Sequence, residues 1–264
     1  MFNILLTFII ILFTILLLNV NLRINIFIFL EYMKKYKLNK GILIALEGVD
    51  GAGKTTQTIR LRDHFRRLGF EVEIFKEPTD GKYGQEIRNL AINGRHTVTP
   101  EYELELFIKD RIEDCEKNLG PALLQKKLIF IDRYYFSSIA YQGALGLNTD
   151  YILKRNKEVA IMPELVIILD VAVKIGLSRI KNFRKEEYNH FEREDYLEKV
   201  RSIFLKMKDT YIQIIDGSRE EDEVFSNIKN ITQDIISPYA YTQDNQYNLF
   251  AKNIQMGKLT FSSN

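Results

Sequence analysis

Apolar and amphipathic stretches alternate along the middle of the chain, and this alternation gives the first indication of its fold. Short apolar runs predict strands at residues 42–46, 71–75, 128–131, 165–169 and 212–215. Segments suited to helices lie between and after them, at residues 54–68, 84–92, 100–118, 173–183, 194–210 and 220–236. Strands that alternate with helices predict an α/β fold, with a five-stranded parallel sheet covered by helices on both faces.

Both ends of the chain differ from this middle part. Residues 2–22 are almost wholly apolar and uncharged, and the run is long enough to span a bilayer as a helix. Residues 23–40 are basic, whereas residues 237–264 are polar and rich in Asn, Gln and Tyr. We therefore predict an N-terminal extension at 1–40, one domain at 41–236 and a polar C-terminal tail at 237–264.

Composition narrows the functional classes. The 264 residues carry a net charge of only +2, and the first 40 hold five basic residues against one acidic residue. The rest of the chain is therefore slightly acidic, which argues against a nucleic-acid-binding protein. Cys115 is the single cysteine, so no intrachain disulfide can form, and the three histidines show no zinc-ligand spacing.

The strongest chemical signal is the sequence GVDGAGKT at residues 48–55. It matches the phosphate-binding pattern G-x-x-x-x-G-K-[ST], and it follows a predicted strand and opens a predicted helix. Backbone N–H groups of such a loop cradle phosphate, Lys54 neutralises charge on the β- and γ-phosphates, and the Thr55 hydroxyl ligates Mg²⁺. The predicted ATP-binding residues are Gly48, Val49, Asp50, Gly51, Ala52, Gly53, Lys54, Thr55 and Thr56.

A second signal is the pair Asp132-Arg133 after an apolar strand. A carboxylate at that strand end is suited to holding the magnesium shell, so Thr55 and Asp132 are the predicted metal residues. Arg133 is suited to a bidentate grip on a second phosphate. The alternatives are a buried strand that merely ends in Asp and a surface ion pair.

Four stretches of sequence can be read together: 46–57 (LEGVDGAGKTTQ), 76–81 (KEPTDG), 106–111 (LFIKDR) and 132–143 (DRYYFSSIAYQG). In this order they resemble the thymidylate (dTMP) kinase family, and the likeness covers about residues 41–236. The resemblance implies a P-loop kinase fold with a mobile lid, Mg²⁺ as the cofactor, and a homodimer in the cytoplasm.

The resemblance also implies roles for single residues. Phe107 would stack on thymine, Arg111 would donate to a base carbonyl, and Ser138 would bond the base edge. Tyr141 would crowd the ribose 2′ position, and Gln142 would close the pocket. The implied dTMP-binding set is Asp50, Glu77, Pro78, Phe107, Arg111, Arg133, Ser138, Tyr141 and Gln142. For Phe107 the alternative is core packing, because Leu104, Ile108 and Ile112 share its apolar stripe.

Two departures from the family pattern weaken parts of this reading. Lys76 replaces a usual Arg before Glu77-Pro78, and Lys cannot form a bidentate fork. Residues 189–192 (NHFE) replace a usual lid sequence that contains Arg. Members of the family that have Gly-Ala in the phosphate loop, as here at Gly51-Ala52, take the catalytic arginine from the lid, so the resemblance implies a lid arginine. The predicted catalytic residues are Lys54, Asp50, Arg133, Arg184 and Arg179.

The predicted function is phosphoryl transfer from ATP to dTMP in dTTP synthesis, with small nucleotides as the partners. One alternative is a kinase for another nucleoside monophosphate or a deoxynucleoside, and another is a membrane-tethered P-loop regulator without turnover. Two hypotheses remain for the N-terminus: residues 2–22 anchor a cytoplasmic kinase in a membrane, or residues 1–32 are not part of the working protein. We favour a start at Met33, since a kinase of soluble substrates gains nothing evident from a membrane span.

Overall fold

The computed structural model describes residues 36–94, 97–184 and 194–242, apart from the side chains of Asn93 and residues 182–184. Its strands are β1 (Tyr36–Leu38), β2 (Ile42–Glu47), β3 (Val72–Lys76), β4 (Leu128–Asp132), β5 (Leu165–Asp170), β6 (Ile212–Asp216) and β7 (Ala240–Thr242). Its helices are α1 (Lys54–Arg67), α2 (Lys82–Asn93), α3 (Pro100–Asp114), α4 (Gly120–Leu124), α5 (Tyr135–Ala144), α6 (Thr149–Lys157), α7 (Val173–Arg184), α8 (Glu194–Lys206) and α9 (Glu221–Ile236).

A five-stranded parallel sheet in the order β3-β4-β2-β5-β6 forms the centre of the fold, and it confirms the predicted fold class. Every residue of β2 and β4 is buried, which is why these strands read as continuous apolar runs. Leu46 of β2 pairs with Asp132 of β4. The loop that follows β2 and the carboxylate that ends β4 therefore meet at one edge of the sheet, where α/β proteins bind ligands.

A second, two-stranded sheet lies just outside the predicted domain of residues 41–236. In it β1 pairs antiparallel with β7, and Tyr36 is in register with Thr242. Tyr36 also stacks on Phe70, with 5.5 Å between the ring centroids. The folded unit therefore includes a few residues that the sequence assigned to the N-terminal extension and the C-terminal tail.

Three helices of the structure, α4, α5 and α6, have no counterpart in the prediction. The helix α5 carries the motif residues after Asp132, and α6 begins after Asn148, whose side chain accepts a hydrogen bond from Tyr151 N at 2.9 Å. The helix predicted at 100–118 is instead α3 followed by a π-helical turn, Cys115–Leu119.

Within the described part of the chain, no helix is both long and apolar enough to cross a membrane. The apolar run at 2–22, the rest of the chain up to residue 35 and the tail from 243 to 264 lie outside the described residues. Both hypotheses for the N-terminus therefore remain predictions.

Candidate active site

The loop between β2 and α1 follows a path that only glycine allows at two of its positions. Gly51 has a φ of 77°, and a Cβ there would lie 2.2 Å from the carbonyl oxygen of Gly176. Gly48 has a φ of 135°, and a Cβ there would lie 2.5 Å from the carbonyl oxygen of Leu169. Gly53 precedes α1 without a side-chain cap, so the first N–H groups of the helix stay available for an anion.

Lys54 is the first residue of α1, and its side chain lies against this loop. Its Nζ donates to the carbonyl oxygens of Gly48 at 3.0 Å and Val49 at 2.8 Å. Burial, and secondarily the nearby Arg133, lower the pKa of Lys54 to about 8. The side chain is therefore still mainly charged at neutral pH, and it offers a positive charge at the loop.

Thr55 and Asp132 meet as the predicted metal residues should. The Thr55 hydroxyl donates to Asp132 Oδ2, whereas Asp132 Oδ1 is buried and has no hydrogen-bond partner among the described residues. A free carboxylate oxygen beside a hydroxyl suits the shell of Mg²⁺, which proteins hold through few side chains plus water and phosphate. The residues present therefore fit this ion. Across the described ranges, no group of three or more His, Cys, Asp and Glu side chains could hold a metal by itself.

A cavity of about 400 Å³ opens over the loop. It brings together seven of the nine predicted ATP-binding residues, while Gly48 and Val49 lie behind Lys54 and accept its hydrogen bonds. Arg179 lines the cavity, and its guanidinium donates to the carbonyl oxygen of Gly217 at 3.1 Å. Arg219 and Glu221 also line it, and the sequence reasoning missed both because neither lies in a recognisable motif.

A larger cavity of about 940 Å³ lies beside the first, and Asp50, Lys76 and Arg133 line both. Phe107 faces this larger cavity, whereas its helix neighbours Leu104 and Ile108 are buried in the core. Leu104 and Ile108 are thus core residues, whereas Phe107 is not packed in the core as the alternative interpretation expected. The predicted acceptor residues that line the cavity are Asp50, Pro78, Phe107, Arg133, Ser138, Tyr141 and Gln142.

Arg133 occupies the junction of the two cavities. Its guanidinium contacts the Asp50 carboxylate and donates to Ser137 Oγ at 3.2 Å. The Tyr141 hydroxyl donates to Asp50 Oδ2 at 3.0 Å. The Arg133 side chain is only 16% exposed, so this pair is not the surface ion pair that the sequence left open.

Arg111 and Glu77 do not line the larger cavity as the sequence reasoning expected. Both are buried, and Arg111 binds Glu77 through Nε, at 3.2 Å from Oε1, and through Nη2. Arg111 also contacts Asn156, and it lies 3.5 Å from Ser138 Oγ. Burial raises the pKa of Glu77, and Arg111 opposes that rise. Arg111 therefore lies next to Ser138, which lines the cavity, and its charge is paired with Glu77 inside the protein.

Gln142 lines the larger cavity but is itself fully buried, and its side-chain amide donates to Glu103 Oε2 at 3.3 Å. Arg184 ends α7, but its side chain lies outside the described residues, as do residues 185–193 of the expected lid. The prediction that Arg184 is catalytic is therefore untouched by the structure.

Glu47 is a site residue that the sequence reasoning missed. It is fully buried at the end of β2 and accepts hydrogen bonds from Tyr134 N at 2.7 Å and from Ser137 Oγ at 2.6 Å. Burial raises the pKa of Glu47 to about 6, and the Ser137 hydrogen bond limits the rise. The sequence did contain a signal for Glu47, since it is a lone carboxylate at the end of an apolar strand and directly before the phosphate loop.

Comparison with known proteins agrees with this geometry. The model of the family described as thymidylate kinase matches residues 46–228. A probable thymidylate kinase of Archaeoglobus fulgidus is 38% identical over 196 residues, which cover 74% of this chain and 97% of that protein. A thymidylate kinase of Desulfotalea psychrophila is 44% identical over 190 residues, which cover 72% of this chain and 93% of that protein. A thymidylate kinase of Xanthomonas euvesicatoria pv. vesicatoria is 41% identical over 184 residues, 70% of this chain and 80% of that protein.

Proposed function

This chain belongs to the thymidylate kinase family, and we propose that its two adjoining cavities bind ATP and dTMP for direct phosphoryl transfer. The reaction is that of a dTMP kinase: ATP and dTMP give ADP and dTDP, a step of dTTP synthesis. The observation that carries the proposal is the position of Asp50 and Arg133, which line both cavities. A donor and an acceptor that share these residues have their phosphates close together, and proximity supplies much of the catalysis in such reactions.

The smaller cavity is the proposed ATP site. The N–H groups at the start of α1 and the Lys54 ammonium would bind the β- and γ-phosphates. To reach them, Lys54 would exchange its bonds with the Gly48 and Val49 carbonyl oxygens for phosphate oxygens. Thr55 and Asp132 would hold Mg²⁺, which, when bound, neutralises the charge that develops between the phosphates.

The larger cavity is the proposed dTMP site. Arg133 would grip the acceptor phosphate with its guanidinium, and Asp50, which already accepts from Tyr141, would approach the 3′-hydroxyl. Phe107 would stack on thymine, and Ser138 would bond the edge of the base. In this proposal Arg111 and Glu77 support Ser138 from behind and do not touch the nucleotide.

Charge on the transferring group would be stabilised by Arg179, which lines the ATP cavity. Arg184, from the end of α7, is proposed for the same role. We further propose that the chain acts as a homodimer in the cytoplasm, and that residues 41–236 with the β1–β7 sheet form the kinase unit. No observation favours a non-catalytic regulator or a different acceptor.

The experiment that tests the proposal measures ADP formation by the purified chain with ATP, Mg²⁺ and varied dTMP. Replacing Arg133 with Lys removes the bidentate fork but keeps the charge, so the KM for dTMP should rise about tenfold while the KM for ATP changes little. Arg155→Lys is the matched control, because Arg155 forms an ion pair with Glu105 and lines neither cavity. Equal KM values for dTMP in the wild type and Arg133→Lys would contradict the proposed grip.

A further inference from the structure

The main chain at Arg133 has an unusual conformation. Its φ of 70° lies in the left-handed region, which is rare for residues other than glycine. Such conformations cost free energy and persist only where the surroundings enforce them, often at functional sites. At Arg133 the enforcing bonds are Arg133 N to the carbonyl oxygen of Leu46, at 3.0 Å, and Tyr134 N to Glu47 Oε1, at 2.7 Å.

Glu47 also caps the helix that follows this turn. Tyr134 is the N-cap residue of α5 and makes no side-chain cap bond. Instead, the carboxylate of Glu47, at the end of β2, caps the helix. Its Oε1 accepts a hydrogen bond from Ser137 N, in the first turn of α5, at 3.1 Å. A negative charge at a helix N-terminus is favourable, so the contact stabilises the start of α5.

The same carboxylate reaches Arg133 through a hydroxyl. Ser137 Oγ donates to Glu47 Oε2 at 2.6 Å and accepts from Arg133 Nη1 at 3.2 Å. Glu47 is thus connected to both the main chain and the side chain of Arg133. The main-chain connection is the bond from Tyr134 N at the strained turn, and the side-chain connection runs through Ser137 to the guanidinium. Because Glu47 is fully buried and lines neither cavity, it cannot touch a nucleotide in this arrangement.

We propose that Glu47 is a positioning residue for the acceptor phosphate, which fixes the orientation of Arg133 through Ser137 and through the turn at Tyr134. The inference rests on the proposed function, which gives Arg133 the phosphate of dTMP. Without the Glu47 carboxylate, the Ser137 hydroxyl would lose the acceptor that turns its oxygen towards Arg133 Nη1. Arg133 would then be held mainly by Asp50 and by the longer bond, 3.5 Å, from Nη1 to the Gly48 carbonyl oxygen. The acceptor phosphate would then have to order the guanidinium itself, and affinity for dTMP would fall.

Glu47→Gln tests the inference. The amide keeps the shape of the side chain and one acceptor oxygen, but its NH₂ group replaces an oxygen that accepts from Tyr134 N, Ser137 N or Ser137 Oγ. Loss of a charge-assisted hydrogen bond predicts a rise of about tenfold or more in the KM for dTMP. The KM for ATP should change less than about twofold. The inhibition constant of thymidine should also stay within about twofold, since a nucleoside offers no phosphate to Arg133. A merely structural loss would weaken thymidine and dTMP alike.

Glu164→Gln is the matched control. The Glu164 carboxylate accepts from Leu43 N at 2.8 Å and from Lys40 Nζ at 3.0 Å, so it supports the opposite end of the same strand. This variant should melt at a lower temperature than the wild type but keep its KM for dTMP. Ser137→Ala is the second variant: it removes the hydroxyl between Glu47 and Arg133, and the KM for dTMP should rise about threefold.

Wild-type activity is measured first, because an absence of dTMP-dependent ADP formation would refute the proposed function and not this inference alone. With an active wild type, an unchanged KM for dTMP in Glu47→Gln overturns the inference, as does an equal loss of thymidine and dTMP affinity. Should Glu47→Gln fail to fold, Ser137→Ala decides: a raised KM for dTMP with unchanged thymidine inhibition supports the inference, and an unchanged KM overturns it.

Discussion

The buried ion pair between Arg111 and Glu77 should make the fold unusually sensitive to one substitution. The side chains of Arg111 and Glu77 are only 1% and 3% exposed. The N–H groups of Arg111 donate to Glu77, Asn156 and Ser138. Removing one partner of a buried pair leaves an uncompensated charge, which costs about 3–5 kcal/mol. Arg111→Met, which keeps much of the volume, should therefore lower the free energy of unfolding by about that amount.

The loss should depend on pH with a definite sign. Burial already raises the pKa of Glu77, and without Arg111 nothing opposes that rise as strongly. A carboxyl whose folded pKa exceeds its unfolded pKa binds more protons in the folded state, so it destabilises the fold increasingly as pH rises between those two values. With Arg111 present the pKa of Glu77 is already about 8, so the deficit of Arg111→Met relative to wild type should change little between about pH 5 and pH 7 and should grow as the pH rises above about 8.

Urea unfolding, followed by circular dichroism and repeated at several pH values, gives the free energy of unfolding by linear extrapolation and also its dependence on pH. The double variant Arg111→Met with Glu77→Gln should recover much of the loss, because it removes both charges. Arg62→Met is the control, since Arg62 pairs with Asp63 at the surface and its replacement should leave the free energy of unfolding nearly unchanged. A loss below about 1 kcal/mol in Arg111→Met, together with a raised KM for dTMP, would show that Arg111 serves the nucleotide directly.

Three further substitutions probe the site itself. Lys54→Ala should lower kcat by about a hundredfold or more without changing the circular dichroism spectrum, because a preorganised charge at the transferring group is lost; near-normal turnover would contradict its assigned role. Phe107→Ala should raise the KM for dTMP about tenfold and leave that for ATP unchanged, as expected from a lost base stack; an unmoved KM would place the base elsewhere. Arg179→Ala should lower kcat more than it changes either KM, because its charge acts on the transition state; a change confined to the KM for ATP would mean uniform binding instead.

The sequence predicted those parts of the fold that local patterns determine. β2, β4 and β5 are almost continuous runs of apolar residues, and their predicted bounds differ from the observed ones by a residue at one end. The start of α1 followed from the phosphate-loop motif. The helix α5 was not predicted, because most of its residues are buried, including Ser138 and Gln142, and it therefore has no polar face. The three-residue strands β1 and β7 were not predicted either, because their pairing joins distant parts of the chain.

The same limit applies to the site. Residues inside motifs, such as Lys54, Thr55 and Asp132, lie together as expected. The burial of Arg111 depends on Glu77, which is 34 positions away, and a helical spacing from Phe107 carries no information about that contact. Glu47 acts, in our proposal, on the turn at Tyr134, which lies 87 positions later in the chain. Such tertiary contacts decide whether a motif residue faces a ligand or supports one that does.

The most direct test of the assigned reaction is the rate of ADP formation with ATP and Mg²⁺ across dTMP, dUMP, dCMP, UMP and thymidine. We expect the highest kcat/KM for dTMP. We also expect a marked loss for UMP, whose 2′-hydroxyl would meet Tyr141, and little turnover of thymidine, which gives Arg133 no phosphate to hold. A higher kcat/KM for another acceptor, or ADP formation that does not depend on dTMP, would contradict the assignment of dTMP as the acceptor.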